Sequence, residues 1–148
     1  MQINLRFTKA TGVGNDFVIL DDRERLLKGL ESKVAVTLCD RHYGIGADGI
    51  LLLQKSSRAD FRMEYYNADG SHGGMCGNGG RCLAMYAYQQ GVVGNSMTFE
   101  ALDYLYRASV TEGKVRLFMK PPSGLREGIT VDVAGKAVEG DFIDTGAP

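Results

Sequence analysis

Read for the spacing of apolar side chains, the chain breaks into short alternating runs interrupted by two segments of helical character. Residues 3–9 alternate, Ile3, Leu5 and Phe7 against Asn4, Arg6 and Thr8, which predicts a half-buried strand. Gly12-Val13-Gly14-Asn15-Asp16 breaks the run, and a second strand begins over Phe17 to Leu20. Leu30 to His42 reads as a helix, with Ser32 as its cap and Val34, Leu38 and Cys39 turned inward. A second glycine loop, Gly44 to Gly49, feeds a continuous apolar strand from Ile50 to Gln54, and Ser56 to Asp60 makes a turn. Residues 60–66 alternate Phe61, Met63 and Tyr65 against Arg62, Glu64 and Tyr66, and the turn Asn67-Ala68-Asp69-Gly70 ends them.

A glycine cluster follows, then good helix formers from Cys82 to Gln90, with Gly91 as the stop. Leu83, Ala84, Ala87 and Tyr88 form one stripe, which Met85 and Tyr86 widen to nearly the whole circumference. Such a helix is expected to be buried. Beyond it come strands at 96–101, 104–111 and 114–119, the last two joined at Glu112-Gly113, a hairpin signal. Pro121-Pro122-Ser123-Gly124 reads as a linker. It divides residues 1–120, the unit with the glycine cluster, from 121–148, where strand-like pieces at 129–134 and 137–143 precede Thr145-Gly146-Ala147-Pro148. The short stretch past the linker suggests the front part of a longer protein.

The chemistry concentrates around Cys76, just ahead of or at the start of that helix. Unsatisfied N–H groups there are worth about 0.3–2 kcal/mol to a nearby anion. A thiol so placed can exist with or without its proton, which suits proton transfer near neutrality. Gly73, Gly74, Gly77, Gly79 and Gly80 allow a ligand close to the main chain, where exposed N–H groups suit a carboxylate or phosphate. The plain alternative is a glycine-rich turn holding a small buried cysteine. Asn15, in a tight glycine turn, either takes a left-handed conformation or orients a polar ligand through its amide. The nearby Gly-x-Gly is no dinucleotide fingerprint, because no helix and no third glycine follow. His42 is read as a helix-end residue.

Composition narrows the field. The 148 residues are 44% hydrophobic and 24% charged with net charge −1, ordinary for one globular domain or slightly more. No Lys/Arg run argues for nucleic acid or an anionic membrane. Ile50 to Leu53 is the longest strongly apolar run, too short to span a bilayer, and MQINLRFTKA has no signal-peptide character, so a cytoplasmic protein is expected. Three cysteines cannot form a complete disulfide set. Cys39-x-x-His42 with Cys76-x5-Cys82 lacks the spacing of structural zinc sites, and no metal is expected. A redox pair between Cys76 and Cys82 is disfavoured, since a loop and a helix position need not face each other.

Four phrases taken together are specific: Gly14-Asn15-Asp16-Phe17, Gly44-Ile45-Gly46-Ala47-Asp48-Gly49, Asn67-Ala68-Asp69-Gly70-Ser71 and Met75-Cys76-Gly77-Asn78-Gly79, with Arg81-Cys82 after the last. In order and spacing the chain resembles the amino-terminal half of diaminopimelate epimerase, from about Leu5 to Pro148. The resemblance implies an α+β fold of two similar halves, each a mixed β-sheet wrapped around a central buried helix, with substrate in the cleft between. It implies interconversion of LL- and meso-diaminopimelate, in lysine and peptidoglycan precursor synthesis, without pyridoxal phosphate or metal. Two cysteines on opposite faces of the α-carbon move the proton, one as thiolate and the other as thiol. Matched residue by residue, Cys76 is the first-half acid/base, Gly77 and Asn78 contact substrate at the helix start, and Asn15 and Asn67 are polar contacts. The second cysteine and a Glu-Arg pair are expected beyond Pro148, so the fragment alone is expected inactive and the full-length protein a homodimer. There are departures: Thr11 stands where a His is frequent, Gly80 where a larger residue is common, and Gly49 and Ala147 where some members carry a substrate-binding glutamine and asparagine. The alternatives are a proline racemase-like isomerase of the same superfamily and a non-catalytic carboxylate-binding half.

Overall fold

A computed structural model describes residues 4–146. Seven strands form one mixed sheet, paired in the order in which they occur: β1 (Phe7–Gly12), β2 (Asn15–Asp21), β3 (Gly49–Gln54), β4 (Phe61–Asn67), β5 (Ser96–Ala101), β6 (Tyr104–Thr111) and β7 (Lys114–Phe118). Two pairs are parallel, β2 with β3 and β4 with β5, and each is bridged by a helix: α1 (Glu31–Cys39) and α2 (Gly77–Gln89). Because β3 and β4 are antiparallel, the second crossover travels opposite to the first. Crossovers of one hand then place the two helices on opposite faces of the sheet.

The two apolar layers follow from this. On one face α1 covers Val18, Leu20, Ile50 and Leu52, together with Leu27 and Ala47. On the other, Phe17, Ile19, Leu51, Leu53, Phe61, Met63, Met97 and Phe99 surround Leu83, Ala84 and Ala87 of α2. Strands β2 and β3 are therefore buried on both faces, which is why they read as unbroken apolar runs. Phe61, Phe99 and Tyr106 stack at 5.3 and 5.4 Å between ring centroids. The helix has the buried position the sequence predicts, although Tyr88 is turned to solvent and Met85 and Tyr86 are half-buried.

Several boundaries differ from the sequence reading. The first strand begins at Phe7 and runs to Gly12; Ile3 lies outside the described residues, Leu5 packs on the outer layer and Phe7 is exposed. The turn sets this register. Val13 and Gly14 have φ of 59° and 84°, a two-residue left-handed turn that pairs Gly12 with Asn15 and carries the ladder back to Phe7. Helix α1 stops at Cys39, since the Asp40 carboxylate accepts the N–H groups of His42 and Tyr43, both at 2.7 Å. His42 thus lies in an exposed turn beyond the helix, and Ser32 lies inside it while Leu30 occupies the cap without a side-chain bond. Helix α2 starts at Gly77 rather than Cys82, so Gly77, Gly79 and Gly80 are helical rather than loop. Gly91 has φ 67° and ends it as expected. Beyond β7, β8 (Ser123–Val133) and β9 (Lys136–Asp144) form a two-stranded sheet of their own, longer than predicted and starting inside the Pro-rich stretch. Ala147 and Pro148 fall outside the described residues.

Candidate functional site

The start of β2, the start of β3 and the end of β4 lie at one end of the sheet, because Phe17 is level with Gly49 and Gly49 with Asn67. Helix α2 begins at this same end. Its tight seat explains the glycines of its first turn. A Cβ on Gly79 would come to 3.0 Å from Leu51 Cδ2, and one on Gly80 to 3.1 Å from Leu117 Cδ2 and 3.3 Å from Phe99 Cζ. The sequence expectation gave these glycines to ligand access; the contacts a side chain would meet assign Gly79 and Gly80 to close packing of helix on sheet, whereas a Cβ on Gly77 would meet nothing nearer than 3.7 Å.

Cys76 is the N-cap of α2, with extended backbone at φ −126° and ψ 119°. Its half-buried sulfur accepts from the Gly79 N–H at 3.4 Å, and the Gly80 N–H donates to its carbonyl at 2.8 Å. The N–H groups of Gly77 and Asn78, which a helix cannot satisfy internally, have no partner among the described residues. On the sulfur's other side the thiol donates to Asn15 Oδ1 at 3.7 Å, and Asn78 Nδ2 donates to the same oxygen at 3.4 Å. Four predicted residues, Asn15, Cys76, Gly77 and Asn78, are thus brought together. Asn67 makes no direct bond to them: its Oδ1 accepts from the Tyr65 hydroxyl at 2.7 Å, and its Nδ2 donates to Ser71 Oγ at 3.0 Å. Burial pushes the Tyr65 phenol up and keeps it a donor.

Charged groups that the sequence reading did not single out brace this cluster. Asp48 accepts from Asn15 Nδ2 at 2.7 Å and from the Asp16 N–H at 3.0 Å, and its own N–H donates to Asp16 Oδ1 at 3.1 Å. Arg41 bridges both carboxylates at 2.9 Å, and Lys9 pairs with Asp16 at 2.9 Å and reaches the Gly46 carbonyl. The bonds from Arg41 and then Lys9 hold the Asp16 carboxyl well below the usual carboxylate range, against the smaller effect of burial. Arg81, one turn into α2, donates to Asn78 Oδ1 at 2.6 Å. A signal for the aspartates was available: Gly12-Val13-Gly14-Asn15-Asp16 and Gly44-Ile45-Gly46-Ala47-Asp48 share one Gly-x-Gly-x-Asp pattern, each opening one of two parallel neighbouring strands.

The other cysteines are not hydrogen-bonded to this cluster among the described residues. Cys39, the last residue of α1, is buried in the outer layer, and Cys82 of α2 is buried in the inner one. Burial pushes the Cys39 thiol up to about 11 and the Cys82 thiol up as well. Among the described residues no cluster of three His, Cys, Asp or Glu side chains could hold a metal ion, and no helix is long and apolar enough to cross a membrane. An apolar concavity between β1, α2 and β7, lined by Ala10, Ile19, Cys82, Met85 and Val115, does not include Cys76.

The sequence profile of the diaminopimelate epimerase family matches residues 7–120. A diaminopimelate epimerase of Chlorobaculum tepidum is 48% identical over 141 residues, covering 93% of this chain and 53% of the relative. One from Aquifex aeolicus is 41% identical over 155 residues, covering 97% and 55%. The chain thus spans about half the length of the curated relatives it matches. Among solved structures, a hydroxyproline epimerase from Agrobacterium vitis with bound trans-4-hydroxy-L-proline superposes with a TM-score of 0.67 over 94% of this chain and 48% of that one, at 14% identity.

Proposed function

Since the chain belongs to the diaminopimelate epimerase family, we propose that it supplies one half of the active site of an amino-acid epimerase interconverting LL- and meso-diaminopimelate. The observation that carries the reading is the Cys76 sulfur at the head of α2, half-open and bonded on one side to Asn15 and on the other to Gly79. In this role the sulfur exchanges a proton with one face of the substrate α-carbon, and a cysteine of the second half exchanges one with the opposite face. The unpartnered N–H groups of Gly77 and Asn78 suit the substrate α-carboxylate. Deprotonation at the α-carbon drives negative charge into that carboxylate, so donors fixed there favour the transition state over the ground state. Asn15 and Asn67 are the polar contacts for the remaining amino and carboxyl groups. No pyridoxal or metal is invoked. One acid/base cannot serve both faces, so this 148-residue piece is inactive alone, and the complete protein works as a cytoplasmic homodimer in the synthesis of lysine and peptidoglycan precursors.

The test is α-proton exchange in deuterated water with LL-diaminopimelate, using the full-length protein and its Cys76→Ala variant. Loss of exchange by more than about 100-fold with substrate binding kept supports proton transfer by Cys76. Exchange within a few fold of the parent would assign Cys76 to binding alone. Exchange with proline but not diaminopimelate would move the protein to another branch of the superfamily.

A further inference from the structure

We propose that Asp48 is the positioning residue that fixes which end of the Asn15 amide faces the Cys76 sulfur. A carboxamide fills the same space with its oxygen and nitrogen exchanged, so only its partners set its orientation. Two groups that can act in one sense only stand at the ends of this row. The Arg81 guanidinium, which only donates, holds Asn78 Oδ1 at 2.6 Å and turns Asn78 Nδ2 toward Asn15 Oδ1 at 3.4 Å. The Asp48 carboxylate, paired with Arg41 at 2.9 Å, takes Asn15 Nδ2 at 2.7 Å and as a carboxylate only accepts. Both ends require the same orientation of Asn15, with its carbonyl oxygen 3.7 Å from the sulfur.

The consequence lies at the sulfur. With Asn15 fixed in this way, Sγ has one acceptor for its proton and one donor, the Gly79 N–H, for its lone pair. Thiol and thiolate each have a partner, as a group that gains and loses a proton requires. With Asn15 reversed, two N–H donors would face the sulfur and the thiol proton would have no acceptor, so the thiolate would be favoured. The significance for catalysis rests on the reading of Cys76 as a proton-transfer group; the orientation itself does not.

Asp48→Asn is nearly isosteric but can donate as well as accept, so it replaces the short charge-assisted bond at 2.7 Å and leaves only the long 3.4 Å contact from Asn78 to oppose reversal of Asn15. The experiment measures alkylation of Cys76 by iodoacetamide at pH 7 in the chain as it stands, site by site by mass spectrometry. Asp48→Asn is expected to raise the Cys76 rate about fivefold, the worth of one hydrogen bond, while Asp48→Glu, still acceptor-only, keeps the parental rate. A parental rate in Asp48→Asn overturns the proposal, and so does an equal change in Asp48→Glu, which marks a packing effect. If Asp48→Asn loses its far-UV circular dichroism, the unaltered chain decides. Nuclear Overhauser contacts from the Asn15 side-chain NH2 to the Asp16 amide, and none to the Cys76 β-protons, support the orientation, and the reverse pattern refutes it. Because alkylation needs no substrate, absence of α-proton exchange in the full-length protein would remove the epimerase reading and leave this result standing.

Discussion

Tyr65 is wedged between two glycines, and replacing either tests how the site is supported. Gly73 lies in the loop between β4 and α2 with its N–H on the Tyr65 carbonyl at 2.8 Å, and its backbone is outside the left-handed region. An alanine Cβ there would stand 2.3 Å from both Cδ1 and Cε1 of the Tyr65 ring. Ordinary carbon contacts are about 3.5–4.0 Å, so the ring must retreat by roughly 1.2 Å or more. It has nowhere to go. Its far edge, Cε2, lies where a Cβ on Gly49 would be only 2.5 Å away, its ring makes a T-shaped contact with Phe17 at 5.8 Å between centroids, and its hydroxyl is tied to Asn67. Gly73→Ala is expected to cost about 3 kcal/mol, the upper part of the overpacking range, lowering the melting temperature by about 6–12 °C for a chain of this size. Tyr65→Ala costs about 3–5 kcal/mol through its cavity. In the double variant the clash has no ring to meet, so the two losses sum to about 2–3 kcal/mol less than additivity requires. Urea unfolding followed by far-UV circular dichroism suits a chain without tryptophan. Losses that add within about 0.5 kcal/mol would refute the wedge.

Other expectations can be checked on the same chain. Val13 is 91% exposed with φ 59°, a conformation unfavourable for a β-branched residue. Val13→Asn, giving the Asn-Gly turn that hairpins prefer, is expected to add about 1 kcal/mol, read from the urea midpoint. Asp16, whose carboxyl is held low chiefly by Arg41, contributes stability that is complete above a pH of about 4, the ordinary range of an unfolded aspartate, and is lost as pH falls toward its folded value. Arg41→Met should flatten that acid limb of a stability–pH curve. Cys39 shows the opposite sign. Pushed up to about 11 by burial, it keeps a proton that the unfolded chain sheds from about pH 8.5, so stability declines as pH rises between those values. Cys39→Ala should remove that part of the alkaline decline.

Most strands were legible because their apolar residues alternate or run unbroken, as in Phe61-Met63-Tyr65 and Ile50 to Leu53; the first was misplaced because the turn at Val13-Gly14, not the alternation, sets its register. The start of α2 was not legible. Glycine is a poor helix former, and propensity places Gly77, Gly79 and Gly80 outside a helix whose first turn is held by contacts from Leu51, Leu117 and Phe99. Helix α1 was overextended because Asp40 redirects the chain by a local side-chain bond that apolar spacing does not register. Cys76, Asn15 and Asn78 stand in glycine-flanked phrases that the sequence sets apart, and the fold joins the three in one hydrogen-bonded cluster. Asp48, Arg81 and Tyr65 did not stand out, since a charge in a loop, a charge on a helix and an aromatic in an alternating strand look ordinary until the fold places each beside an amide.

The three glycines opening α2 carry a further consequence. Each costs about 1 kcal/mol relative to alanine in a helix, and a segment as short as Gly77–Gln89 would not hold its first turn in isolation. The row of N–H groups around Cys76 is therefore a product of assembly, absent until the inner face of the sheet has closed upon the glycines. In the nascent or unravelled chain the sulfur is chemically commonplace, and its special surroundings come into being with the native state. The same side chain can thus serve as an intrinsic reporter of maturation.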